Sequence, residues 1–99
     1  MRYHVELTPE AETDLRLIYR YIAEKKENPG AAFSLVNSIY DEIASLGEMP
    51  SRYPIWRNEP WKSRGIRAMP VDNYHVFYLV EENPQTVIAL RVFYDGQNV

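Results

Sequence analysis

At 99 residues, with 45% apolar residues, 13% aromatics and no cysteine, the chain is read as a single domain over residues 1–99; a disulfide framework, thiolate chemistry and a cysteine zinc site are excluded. A formal net charge of −3 argues against sequence-independent nucleic-acid binding, which draws on a surplus of lysine and arginine to release counterions. The opening Met1-Arg2-Tyr3-His4-Val5 does not read as a secretory signal and no stretch approaches the roughly 20 apolar residues of a membrane span, so the expectation is a cytoplasmic protein with no membrane contact.

Tyr3-His4-Val5-Glu6-Leu7 alternates large apolar with polar residues at period two, which predicts a half-buried strand. Thr8-Pro9-Glu10 follows as a helix start: a threonine N-cap, a proline where the missing N–H costs nothing, and an acidic residue at the positive end of the helix dipole. Ala11, Leu15, Ile18 and Ile22 recur at helical spacing and predict a helix to about Lys26. Asn28-Pro29-Gly30 interrupts it, and Ala32, Val36, Ile39, Ile43 and Leu46, flanked by Phe33 and Tyr40, form a second stripe. So short a connection makes the helices an antiparallel hairpin. Gly47 stands where a left-handed C-cap residue would close the second helix.

Pro50, Pro54 and Pro60 then exclude regular structure, so residues 48–63 are read as a loop. From Ile66 the period is two: strands at Ile66–Val71, Tyr74–Val80 and Thr86–Tyr94, separated by turns at Asp72-Asn73 and Glu81–Gln85, with Pro70 consigning the first of them to an edge or a bulge. The order β-α-α-β-β-β predicts an α+β fold, a helical hairpin packed on one face of a mostly antiparallel four-stranded sheet.

Strict alternation places Tyr74, Val76, Tyr78 and Val80 on one face and His75, Phe77 and Leu79 on the other; in the last strand it separates Ile88, Leu90, Val92 and Tyr94 from Val87, Ala89, Arg91 and Phe93. Both faces are apolar, yet two helices cover only one. Phe77, Leu79, Val87, Ala89 and Phe93 are therefore expected to form an exposed patch that a partner chain buries, with self-association or coverage by the loop carrying Trp56 and Trp61 as the alternatives. His75 and Arg91 project from that floor, an arrangement that suits a binding groove. Arg52, Arg57, Lys62, Arg64 and Arg67 meet only Glu59 within their segment, a basic stretch hidden by the acidic average, and a solvated loop is its plain reading.

Leu7-Thr8-Pro9-Glu10-Ala11, the Tyr19–Ile22 segment, Pro50-Ser51-Arg52-Tyr53-Pro54, Gly65-Ile66-Arg67, Tyr74-His75-Val76-Phe77-Tyr78 and Leu90-Arg91-Val92, in this order over nearly the whole chain, resemble the RelE/ParE superfamily, the toxins of type II toxin–antitoxin modules. The resemblance implies a cytoplasmic toxin neutralised by a cognate antitoxin lying over the sheet, as a homodimer or in a heterotetramer with that antitoxin. RelE-like members cut messenger RNA on the ribosome with basic residues that stabilise the developing phosphate charge and a group that moves the proton. The position at which they carry a strand arginine is His75 here, and Asp95-Gly96-Gln97-Asn98-Val99 after Tyr94 holds no base. Arg67, His75, Arg91 and Tyr94 are the catalytic candidates that reading leaves.

The ParE-like, plasmid-stabilisation branch inhibits DNA gyrase by protein binding and needs no catalytic set. The helical hairpin and the Pro-Ser-Arg-Tyr-Pro loop resemble it more closely, although that branch ends in a basic run. The reading is thus a ParE-like gyrase inhibitor, with target contacts expected at Arg52, Arg64, Arg67 and Arg91 and antitoxin contacts at Phe77, Leu79, Val87, Ala89 and Phe93. The alternatives are an endoribonuclease that engages ribosome and messenger RNA, and an inactive homologue that binds only antitoxin. No cofactor or metal is expected, because the sequence has neither a glycine-rich phosphate loop nor metal-ligand spacing. Glu10, Glu12 and Asp14 are explained as dipole compensation at a helix start.

Overall fold

The computed structural model describes residues 2–97 and 99. Its elements are β1 (His4–Leu7), α1 (Pro9–Arg20) continued by one π-helical turn (Tyr21–Lys25), α2 (Pro29–Ser45), β2 (Arg67–Val71), β3 (Tyr74–Glu82) and β4 (Gln85–Tyr94). The strands form one sheet in the order β1-β4-β3-β2, with β1 parallel to β4 and the other pairs antiparallel. Pro70 lies in the edge strand β2, where a missing donor is tolerated.

Local chemistry sets both helix starts, that of α1 as expected and that of α2 through Asn28, which the sequence marks only as the break after the first helix. The Thr8 hydroxyl accepts from the Ala11 N–H at 3.0 Å and donates to the Leu90 carbonyl at 2.8 Å, so the cap of α1 also ties it to β4. Asn28 Oδ1 accepts from the Ala31 N–H at 3.1 Å and caps α2. Leu15, Ile39, Ile43 and Leu46 then bury against Met69, Val76, Tyr78, Val87, Ala89 and Val92 of the sheet. Tyr78 is fully buried, with its hydroxyl donating to the Pro50 carbonyl, and burial raises its pKa.

Two sequence expectations are corrected here. Gly47 does not take the left-handed conformation; Leu46 ends α2 in helical geometry, and a Cβ on Gly47 would stand 3.0 Å from the Tyr3 carbonyl oxygen. Close approach is what requires glycine there, since the Tyr3 N–H donates to the Gly47 carbonyl at 2.8 Å. The second correction concerns β4: Phe77 pairs with Arg91 but Tyr78 pairs with Ala89, so Leu90 is an extra residue in a β-bulge. The bulge reverses the alternation. Val87 and Ala89 therefore lie on the helix face with Val92, not beside Phe77 and Phe93.

Residues 53–66 fold over the second face. Ile55 bridges to Arg67, the Trp56 N–H donates to the Ile66 carbonyl at 2.8 Å, and Trp56 and Trp61 pack on Phe77, Phe93, Ile66 and Ala68. Of the alternatives for that face, coverage by the chain's own loop is the one observed. The expected open patch is absent: Phe77, Val87 and Ala89 are 0% exposed and Phe93 is 9% exposed, leaving only Leu79 of the set partly accessible.

Candidate functional site

The second face is an aromatic stack under a lid. Ring centroids lie 5.0 Å apart for Trp56–Phe77 and for Trp61–Phe77, and 5.4 Å apart for Phe77–Phe93, in edge-on or tilted arrangements that aromatic quadrupoles favour. The Trp56 Nε1–H and the Asn58 amide donate to the Val99 carbonyl at 3.1 and 2.8 Å, which joins the lid to the end of the chain. At the margin His75 Nδ1 meets Asp95 Oδ1 at 2.7 Å, and its ring stands 5.1 Å from Trp56.

Of the four catalytic candidates, His75 and Tyr94 line one cavity with Arg57 and Asp95, whereas Arg67 and Arg91 are engaged elsewhere. Arg67 Nη1 donates to the Tyr53 carbonyl at 2.7 Å and the Ser51 carbonyl at 3.4 Å, which spends its guanidinium on holding the loop. Arg91 donates from Nε and Nη2 to the two oxygens of Asp14 at 2.8 and 3.0 Å, and the same carboxylate accepts from the Val92 N–H at 2.8 Å. That hydrogen bonding raises the Arg91 pKa. Asp14 is therefore more than dipole compensation: it bolts α1 to β4 beyond the point where β1 ends. Tyr94 pairs with Tyr74, ring centroids 5.6 Å apart, away from Arg67.

Arg52, expected at the target interface, is exposed but engaged within the chain; it donates from Nη1 to the Glu48 carbonyl at 2.7 Å and from Nη2 to the Ser45 hydroxyl at 2.7 Å, closing the end of α2. Of the four expected target contacts only Arg64 keeps an exposed and unengaged cation among the described residues.

On the helix side a groove remains open where the π-helical turn, the start of α2, the β2–β3 turn and the end of β4 meet. Leu17, Tyr21 and Tyr94 line it at 53%, 52% and 52% exposure, over a floor of Ile18, Leu35 and Tyr74. Lys26 Nζ sits 5.9 Å from the Tyr21 ring centroid, and burial raises the pKa of Tyr74. The sequence held a signal for this groove: Leu17 and Tyr21 stand four apart, off the Ala11–Leu15–Ile18–Ile22 stripe, and so form a second apolar line with no partner in the hairpin. Among the described residues no three His, Asp or Glu side chains cluster as metal ligands would, and no helix is long and apolar enough to cross a membrane.

The fold is thus a helical hairpin over a mixed sheet, with Arg52, Arg67 and Arg91 engaged in internal bonds and an apolar groove left open. A family model described as ParE toxin of the type II toxin–antitoxin system parDE matches residues 5–99, and the chain belongs to that family. Among solved structures it is similar to the chromosomal ParDE toxin–antitoxin system of P. aeruginosa, with 20% identity, a TM-score of 0.73, and coverage of 94% of this chain and 96% of that one. It is also similar to the RelBE2 toxin–antitoxin complex of Mycobacterium tuberculosis, with 19% identity, a TM-score of 0.69, and coverage of 98% and 95%. No curated protein sequence matches it.

Proposed function

We propose that this toxin acts by protein binding, inhibits DNA gyrase, and is neutralised by a cognate antitoxin that seats an apolar segment in the groove of Leu17, Tyr21 and Tyr94. The observation that carries the reading is the engagement of the arginine candidates: phosphoryl-transfer chemistry needs cations free to meet developing charge, and Arg67 and Arg91 are held by carbonyls and by Asp14. The groove has the exposed aromatic and aliphatic side chains that anchor a partner segment. Both solved relatives are toxin–antitoxin systems by their descriptions, which supports an antitoxin as the occupant.

One observation favours a second reading, messenger-RNA cleavage. Asp95 holds His75 Nδ1 at 2.7 Å, the arrangement that orients a histidine for proton transfer through Nε2. The two readings separate when the purified chain is added in parallel to a gyrase supercoiling assay and to translating ribosomes with end-mapped message. Lost supercoiling with intact message is the expected result; cleaved message with normal supercoiling overturns it and gives His75 the proton-transfer role. For the groove, Leu17→Asp with Tyr21→Asp is expected to abolish capture of the antitoxin encoded beside it while the thermal midpoint holds. Unimpaired capture removes the groove from the antitoxin interface.

A further inference from the structure

The segment 52–67 carries five of the 11 basic side chains and one of the 14 acidic ones, so the rest of the chain is left with six basic against thirteen acidic. The structure divides these five cations sharply. Arg52 and Arg67 are consumed by backbone and hydroxyl acceptors, as described above. Arg57, Lys62 and Arg64 are exposed, and among the described residues none of them forms an ion pair or donates a side-chain hydrogen bond. The one acid of the segment, Glu59, is engaged by the Ser63 N–H at 2.9 Å, a bond that lowers its pKa with a smaller contribution from the Lys62 charge, and Asp95, which lines a cavity with Arg57, is paired with His75.

These cations stand on a firm base. Trp56 and Trp61 anchor the loop in the aromatic stack, and the Lys62, Arg64 and Gly65 N–H groups donate to the Asn58, Trp61 and Lys62 carbonyls at 3.0, 3.1 and 3.0 Å. Gly65 takes φ of 71° to reverse the chain, a conformation costly for other residues. The Arg57 guanidinium lies 4.4 Å from the Trp56 ring centroid, so its stem is already ordered before any partner arrives. Internal packing gives no reason for three unpaired cations on one rigid turn of a chain that is acidic elsewhere. A complementary anion does.

We propose that Arg57, Lys62 and Arg64 form a docking surface for an acidic segment of the target protein, an inference that rests on the reading of the chain as a toxin acting by protein binding. A protein segment fits better than a nucleic acid. The basic turn is short, and a phosphate backbone extending past it would meet the acidic remainder of the chain, whereas a few carboxylates need only the turn itself. Arg64 is retained from the contacts expected from sequence, Arg57 and Lys62 join it, and Arg52, Arg67 and Arg91 leave the target interface.

The test uses the full, isotope-labelled chain titrated with a short polyglutamate peptide and, separately, with an oligothymidylate of equal charge, at low and at physiological salt. Polyglutamate is expected to shift the amide resonances of residues 57–65, to weaken as salt rises, and to bind about tenfold less tightly to the variant Arg57→Gln, Lys62→Gln, Arg64→Gln at an unchanged thermal midpoint. Shifts elsewhere, or none, overturn the surface. Tighter binding of the oligothymidylate to the same residues overturns the choice of partner. In a supercoiling assay, inhibition by the wild type that the variant loses places the acidic segment on gyrase, and equal inhibition by both overturns the target role. If the wild type does not inhibit while polyglutamate still maps to the turn, the gyrase reading fails and the surface stands.

Discussion

The two faces of the sheet are covered in opposite ways. On one, α1 and α2 set aliphatic side chains spaced along regular helices into the sheet, and Leu15, Ile39, Ile43 and Leu46 are buried there without any polar side chain among them. On the other, an irregular loop with no helix longer than one turn places two tryptophans over Phe77 and Phe93 and secures them with side-chain bonds to the Val99 carbonyl. A helix satisfies its own backbone and needs only a few ties to the sheet, here from Thr8 and Asp14, whereas a loop has to find acceptors and donors one by one. The loop face consequently relies on Trp56 and Asn58 as fasteners, while Arg52 and Arg67 tie down the chain between the end of α2 and Tyr53 on the helix side of the sheet.

The largest expected effect sets the faces against each other. Phe77→Ala removes the ring at the centre of the aromatic stack and is expected to cost about 3–5 kcal/mol, and Ile39→Ala on the helix face about 2–5 kcal/mol. In chemical denaturation both lower the midpoint. Only the first should shift the tryptophan emission to longer wavelength in the native baseline, because only there do Trp56 and Trp61 lose their packing. A shift in both would mean that the two cores are coupled through the sheet.

Asp14→Ala comes next. It leaves the partly buried Arg91 and the Val92 N–H without their acceptor, at an expected cost of about 2 kcal/mol, reduced from the cost of a fully buried pair because Arg91 is 39% exposed. Amide exchange at Val92 should quicken, which separates this bolt from a general loss of stability. An unchanged exchange rate would show that the bond to the backbone matters little.

Tyr78→Phe is the smallest. It strips the Pro50 carbonyl of its buried donor, for about 1 kcal/mol. The pH dependence has a defined sign: burial raises the Tyr78 pKa in the folded chain, so its contribution is fully present below the unfolded tyrosine value near 10 and is lost as pH rises through the folded value. Thermal midpoints above pH ~10 should fall faster for the wild type than for Tyr78→Phe. Parallel decline in the two proteins would assign the alkaline loss to other groups.

Much of the architecture was legible residue by residue. Thr8-Pro9 announces α1 because capping is decided within a few residues, Asn28-Pro29-Gly30 marks the break between the helices, and Asp72-Asn73 turns the β2–β3 hairpin where expected. The loop between helix and sheet was harder to read: its prolines show that it is irregular and its tryptophans that it can bury, but not what it buries. The same holds for the arginines. Arg52, Arg64 and Arg67 look alike in the sequence, and only the path of the loop decides that two close on carbonyls and one faces outward.

By itself the sequence determined the order β-α-α-β-β-β, the apolar stripes, the resemblance to a toxin family and the presence of one basic segment in an acidic chain, because each rests on spacing or composition along the chain. Tertiary structure alone decided which face each residue of β4 presents, since one extra residue at Leu90 reverses an alternation that no local pattern marks. It alone decided that the aromatic floor is closed by its own loop and that the cations left free are Arg57, Lys62 and Arg64. Covering a surface and pairing a charge depend on residues far apart in sequence, and their meeting is settled by packing.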